Sequence, residues 1–291
     1  MAVRWIKIDR TISNVTVGEP ITGNDLHPPA QLAHWDFKSS APFPIRLTKD
    51  RVVIKARVNG VEGSFLLDSG ADSIYLSGAF ARRAGLKAIG HSSASTLYGT
   101  EKTDAGIAGQ MEIGGNVLHD LHVYFGGREI DTDGPDGLMG FDLLAAIFAT
   151  VNFEKSTMQI EDPDATDVAA VPGVHVGADL SAGIPATLMN VQGKSAVVNA
   201  ILDTGSPREI LISSELLSKH GLHMTSVGIM GGCGTLDDMS IGPIIYDKPN
   251  GCTDDGFAVH DALLGYDFLK GLSVLHFDYK HAVMILTPRK S

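Results

Sequence analysis

Apolar residues in this chain fall in short runs, alternating or continuous, rich in Val and Ile and broken by Gly, Asn and Asp. That pattern predicts β-strands joined by tight turns. Helical spacing is confined to brief pieces near residues 77–84, 141–147, 213–220 and 266–270. The 33 glycines and 13 prolines suit a chain with many turns. The expected fold class is all-β.

The pattern also repeats. One copy runs from Val61 through Leu66-Leu67-Asp68-Ser69-Gly70-Ala71 and Ile74-Tyr75-Leu76 to Ala84-Gly85-Leu86. The other runs from Ala196 through Ile201-Leu202-Asp203-Thr204-Gly205-Ser206 and Ile210-Leu211-Ile212 to His220-Gly221-Leu222. Each reads as an apolar strand, an Asp-(Ser/Thr)-Gly turn, a second apolar run and a short helix closed by glycine. Three further landmarks recur in the same order: Met111-Glu112-Ile113-Gly114 with Met239-Ser240-Ile241-Gly242, Leu138-Met139-Gly140 with Leu263-Leu264-Gly265, and Val151-Asn152-Phe153 with Leu275-His276-Phe277. Such ordered self-similarity implies duplication. It divides the chain into an N-terminal extension (1–47) expected to form strands or a tether, a first lobe (48–165), a linker (166–174) and a second lobe (175–291).

Composition narrows the function. With 291 residues, 44% of them hydrophobic and 20% charged, the chain has enough apolar side chains for a sizeable core and is not of disordered type. A formal net charge of −11 argues against nucleic acid as a partner. The longest apolar stretch, Leu143 to Val151, is too short to span a bilayer, and no leader is visible at Met1–Lys7. Cys233 and Cys252, 19 residues apart, are open to two readings, a pair of buried thiols or a local disulfide of an oxidising compartment.

The duplicated turn points to a specific chemistry. Water cleaves a peptide bond when one group removes its proton while another protonates the carbonyl oxygen. Two carboxyl groups about 3 Å apart can do both, because they cannot both be ionised and so share a proton. Asp68 and Asp203, presented by matching turns of two related lobes, would meet in that way. Glycine permits the turn, and the hydroxyls of Ser69 and Thr204 can each bond across to the opposite turn. Ser206 has a hydroxyl to donate to Asp203, whereas Ala71 has none for Asp68. Asp203 is therefore expected to ionise more readily and Asp68 to carry the proton.

These residues resemble the pepsin and retropepsin superfamily of aspartic peptidases over roughly residues 48–288. The carrying motifs are Asp68-Ser69-Gly70-Ala71, Asp203-Thr204-Gly205-Ser206, Leu138-Met139-Gly140 and Leu263-Leu264-Gly265. The resemblance implies two pseudo-symmetric β lobes with a cleft for an extended polypeptide, aspartic endopeptidase activity, and neither a metal nor an organic cofactor. A monomer in the periplasm or outside the cell is expected. Tyr98-Gly99-Thr100 stands where the family carries its flap, and Tyr75 where an aromatic supports the flap tyrosine. Leu86 to Ile113 spans 27 residues against 19 from Leu222 to Ile241, so the second copy lacks the length for a flap of its own. It keeps a Gly-rich segment, Gly228–Gly234, that is expected to line the other wall of the cleft. The short lobes and the charged Pro207-Arg208-Glu209 after the second turn depart from typical pepsins, and imply a compact, bacterial version of the fold. The contrasting class is a peptide-binding or regulatory protein that keeps the fold without catalysis.

Other signals are weak. His119 with His122, and His220 with His223, lack a third metal ligand at suitable spacing. Asp131–Gly137 reads as an acidic turn rather than a calcium loop, since Pro135 stands at a ligand position. No Gly-x-Ser-x-Gly elbow or phosphate-binding Gly-Lys-Thr loop is present.

Overall fold

A computed structural model describes residues 34–96, 99–127, 134–180, 186–191, 196–222, 224–226, 232–254 and 262–290. These residues form three sheets, two of nine strands and one of six. No helix among them is long and apolar enough to cross a membrane.

Each nine-stranded sheet is built around the same motif. In the first, strand Val61–Leu67 delivers Asp68, the chain turns, and Tyr75–Leu76 leads into helix Gly78–Arg83. In the second, Ala196–Leu202 delivers Asp203, and Ile210–Ile212 leads into helix Ser214–His220. A serine starts each helix: the hydroxyls of Ser77 and Ser213 accept bonds from the amides of Phe80 and Leu216, both at 3.1 Å. Strand Gly137–Met139 then inserts between the two arms, parallel to Val61–Leu67 and antiparallel to Tyr75–Leu76. Ala262–Leu264 does the same in the second half. The closing glycines let this thread pass. A Cβ on Gly140 would strike the carbonyls of Ala71 and Ser73, and one on Gly265 those of Arg208 and Ser206.

The six-stranded sheet joins the halves, with three strands from each: Phe43–Pro44, Phe148–Asn152 and Thr157–Glu161, then Val174–Gly177, Leu272–Asp278 and Val283–Pro288. Phe148–Asn152 lies antiparallel to Leu272–Asp278, so that Val151 faces Leu275, its counterpart in the repeat. The last landmark of the duplication thus pairs with its own copy across the pseudo-two-fold. Val151, Phe153, Leu275 and Phe277 are buried in the core shared by both lobes.

The described part of the N-terminal extension is stranded. His34–Asp36 adds to the first nine-stranded sheet, Phe43–Pro44 to the six-stranded one, and Arg46–Leu47 pairs with Val52–Val58. Residues 166–174 hold a short 3-10 turn, Val168–Ala170, ahead of the strand that begins at Val174. Cys233 and Cys252 face each other across paired strands and form a disulfide, which decides between the two readings of the cysteines.

Candidate active site

Asp68 and Asp203 meet between the lobes. Each leaves its strand with its amide bonded to the inserted thread, Asp68 to the Met139 carbonyl at 3.0 Å and Asp203 to the Leu264 carbonyl at 2.9 Å. The neighbouring hydroxyls lock the two turns together reciprocally. Ser69 Oγ donates to the Leu202 carbonyl at 2.7 Å and accepts from the Thr204 amide at 3.0 Å. Thr204 Oγ1 donates to the Leu67 carbonyl at 2.7 Å and accepts from the Ser69 amide at 3.1 Å. Both side chains are fully buried, so these four bonds have no competition from solvent.

Glycine follows because each turn faces the other lobe's carboxyl. A Cβ on Gly70 would overlap the Asp203 carboxyl, and one on Gly205 the Asp68 carboxyl. The next backbone groups hold the carboxylates in place: the Gly70 amide bonds Asp68 at 3.1 Å, and the Gly205 and Ser206 amides bond Asp203 at 2.8 and 3.2 Å.

Each carboxyl keeps an edge that solvent reaches, yet the surrounding protein is dense enough to penalise charge. Burial raises both pKa values. Asp68 is pushed well above the usual carboxylate range, first by burial and then by the Asp203 charge beside it. Asp203 is raised by burial but held down by the Gly205 amide, by a hydrogen bond from the Asp68 carboxyl and by the Ser206 amide. Both directions favour the proton on Asp68 and the charge on Asp203.

The cause differs from the one expected from sequence. Ser206 reaches Asp203 through its backbone amide, while its hydroxyl lies 3.5 Å from the Arg208 amide, to which it acts as acceptor. Ala71 offers Asp68 the same kind of amide. The Ala71/Ser206 difference is thus not the source of the asymmetry.

The segment expected to form a flap holds antiparallel strands Gly90–Thr96 and Gly99–Ile113, in which Thr96 pairs with Gly99 and Ser95 with Thr100. Tyr98 lies outside the described residues, as does the 227–231 part of the Gly-rich segment expected on the other wall. Tyr75 is half-buried, donates its hydroxyl to Asp72 at 3.0 Å and stacks on Tyr124 at 5.4 Å. Burial and then Asp72 raise its phenol pKa.

Sequence reasoning missed Tyr279. Its ring is buried against Phe141, at 5.3 Å, and Phe277, at 5.8 Å. Its hydroxyl has no hydrogen-bond partner among the described residues. Burial, then the charges of Asp203 and Asp68, raise its pKa well above normal, which puts the phenol within electrostatic reach of both carboxyls. Phe141 in turn donates its amide to the Ala71 carbonyl, so Tyr279 backs the first turn through one intervening residue. The signal was an asymmetry in the repeat: Phe277-Asp278-Tyr279 stands where the first copy has Phe153-Glu154-Lys155, both of whose charged residues are exposed.

Comparison with known proteins agrees with this architecture. The family model described as aspartyl protease matches residues 54–143, which include Asp68 and Leu138-Met139-Gly140 but stop short of Asp203. Comparison with curated protein sequences gave no match. Among solved structures, the aspartic proteinase from Irpex lacteus superposes with a TM-score of 0.57 at 13% identity, over 89% of this chain and 98% of that one. The chain thus has the pepsin-like aspartic proteinase fold, and residues 54–143 of its first lobe are similar to the aspartyl protease family model.

Proposed function

We propose that this protein is an aspartic endopeptidase in which Asp68 and Asp203 activate water against a peptide bond of an extended polypeptide. The observation that carries the reading is the pair of carboxyls on equivalent turns, clamped by reciprocal hydroxyl bonds and too buried to be charged together. In this mechanism the Asp203 carboxylate takes a proton from water as its oxygen bonds the carbonyl carbon. Asp68 gives its proton to the carbonyl oxygen, forming a neutral tetrahedral diol. Collapse of the diol breaks the C–N bond, with one proton passing to the leaving nitrogen and the dyad returning to its singly protonated state. The hairpin Gly90–Ile113 closes over the substrate with Tyr98, Gly99 and Thr100 and excludes water. The Cys233–Cys252 disulfide supports a periplasmic or secreted site of action.

The test is cleavage of a denatured protein mixture from acidic to neutral pH, with and without a statine-type inhibitor. Cleavage should be inhibited by the statine and abolished in Asp68→Asn and in Asp203→Asn, both of which should remain folded. Substantial turnover by either variant would remove the dyad assignment. A folded parent that binds peptides without cleaving any would favour a regulatory or binding role.

A further inference from the structure

We propose that His34, Asp36 and His119 form a binding site for a divalent transition-metal ion that clips the N-terminal strand to the first lobe, independently of any catalytic activity. Strand His34–Asp36 runs antiparallel to Asn116–Phe125, with His34 opposite His119 and Asp36 opposite Val117. Residues i and i+2 of a strand share a face, and a directly opposed residue shares it too. His34, Asp36 and His119 therefore rise together from one side of this edge. Trp35, between them in sequence, turns the other way and packs on the core.

The donor atoms are already gathered. His119 Nε2 lies 3.1 Å from Asp36 Oδ2, the His34 and His119 rings stack at 4.8 Å, and one ligand atom from each residue lies within 4.8 Å of the others. A tetrahedral zinc ion with bonds of ~2.0–2.1 Å sets its ligands about 3.3 Å apart. Closing the remaining gap calls for side-chain rotation, which the exposure of His34 and Asp36 permits. Two imidazoles and one carboxylate, with a position left for water, suit Zn²⁺, Co²⁺, Ni²⁺ or Cu²⁺. Calcium and magnesium, which need six or more oxygens, do not fit this set. The competing cation is weak: Lys38 Nζ stands 3.8 Å from Asp36 on the exposed surface.

The site also has a structural use. His34–Asp36 is three residues long and, among the described residues, sits at the end of its sheet with one neighbour. A metal shared between it and Asn116–Phe125 would add a second tether, 85 residues apart in sequence, to a short ladder. His122, paired with His119 when only the sequence is considered, points elsewhere, edge-on to Tyr124 at 4.9 Å.

The experiment is calorimetric titration of the full, untagged, chelator-treated chain with Zn²⁺ at neutral pH, with Co²⁺ absorption as a second readout. The expected result is uptake of one equivalent, a tetrahedral Co²⁺ spectrum and a higher Tm with metal. His34→Ala, Asp36→Asn and His119→Ala should each weaken binding by more than the ~10–100-fold that loss of a supporting partner costs. His122→Ala and Asp203→Asn should bind as the parent does. The proposal is overturned if the parent takes up no stoichiometric metal at micromolar concentration. It is equally overturned if one-equivalent binding persists in folded His34→Ala and His119→Ala.

Discussion

Replacing Thr204 with Val keeps the branched shape of the side chain and removes only its hydroxyl. Two buried partners are then orphaned: the Leu67 carbonyl, which accepts from that hydroxyl at 2.7 Å, and the Ser69 amide, which donates to it at 3.1 Å. Thr204 and Ser69 are fully buried, so water does not take over either bond. An orphaned buried polar group costs roughly 1–3 kcal/mol, which puts the two left by Thr204→Val at about 2–6 kcal/mol of stability. Ser69→Ala should cost a similar amount, by stranding the Leu202 carbonyl and the Thr204 amide. The two sets of bonds hold the same pair of turns, so loosening one loosens the other. The double variant should accordingly lose less than the sum of the singles, with a coupling of ~0.5–3 kcal/mol. The assay is a double-mutant cycle by urea unfolding, with the slope of each transition checked against the parent. A loss below ~0.5 kcal/mol in both singles, or strict additivity, would show that the hydroxyls do not clamp the turns as described.

Removing the disulfide with Cys233→Ala/Cys252→Ala opens a 19-residue separation and should cost about 3 kcal/mol by loop-closure entropy, read as a lower urea midpoint and unchanged by reductant. His276 is buried, with its imidazole bonded to Thr150 Oγ1 at 2.8 Å, and burial followed by His175 lowers its pKa from 6.5 to about 4. The unfolded chain binds this proton and the native state does not, so stability should fall by up to ~3 kcal/mol as pH drops from 6.5 to about 4; His276→Gln should flatten that part of the stability–pH curve.

Much of the fold was legible because the informative interactions are local. Strand, Asp-(Ser/Thr)-Gly turn, apolar run and Ser-capped helix each depend on neighbours within a few residues, and the duplication wrote them twice. The four brief helices fall where their spacing placed them, at Gly78–Arg83, Phe141–Leu144, Ser214–His220 and Tyr266–Leu269. Glycines 140 and 265 were legible as motif members, but their reason, a backbone thread passing against opposing carbonyls, is a fact of packing.

By itself, then, the sequence determined the repeated turn, the residues on it and the all-β character, since these follow from alternation, turn chemistry and capping. Only the tertiary structure decided which atoms meet. The Ser206 amide, not its hydroxyl, faces Asp203, because the turn's backbone direction sets what points inward. Tyr279 comes within electrostatic reach of both carboxyls, and His119 meets His34 rather than His122. The His34–His119 pair joins residues 85 positions apart, and register between strands, which no local pattern encodes, chooses the partner.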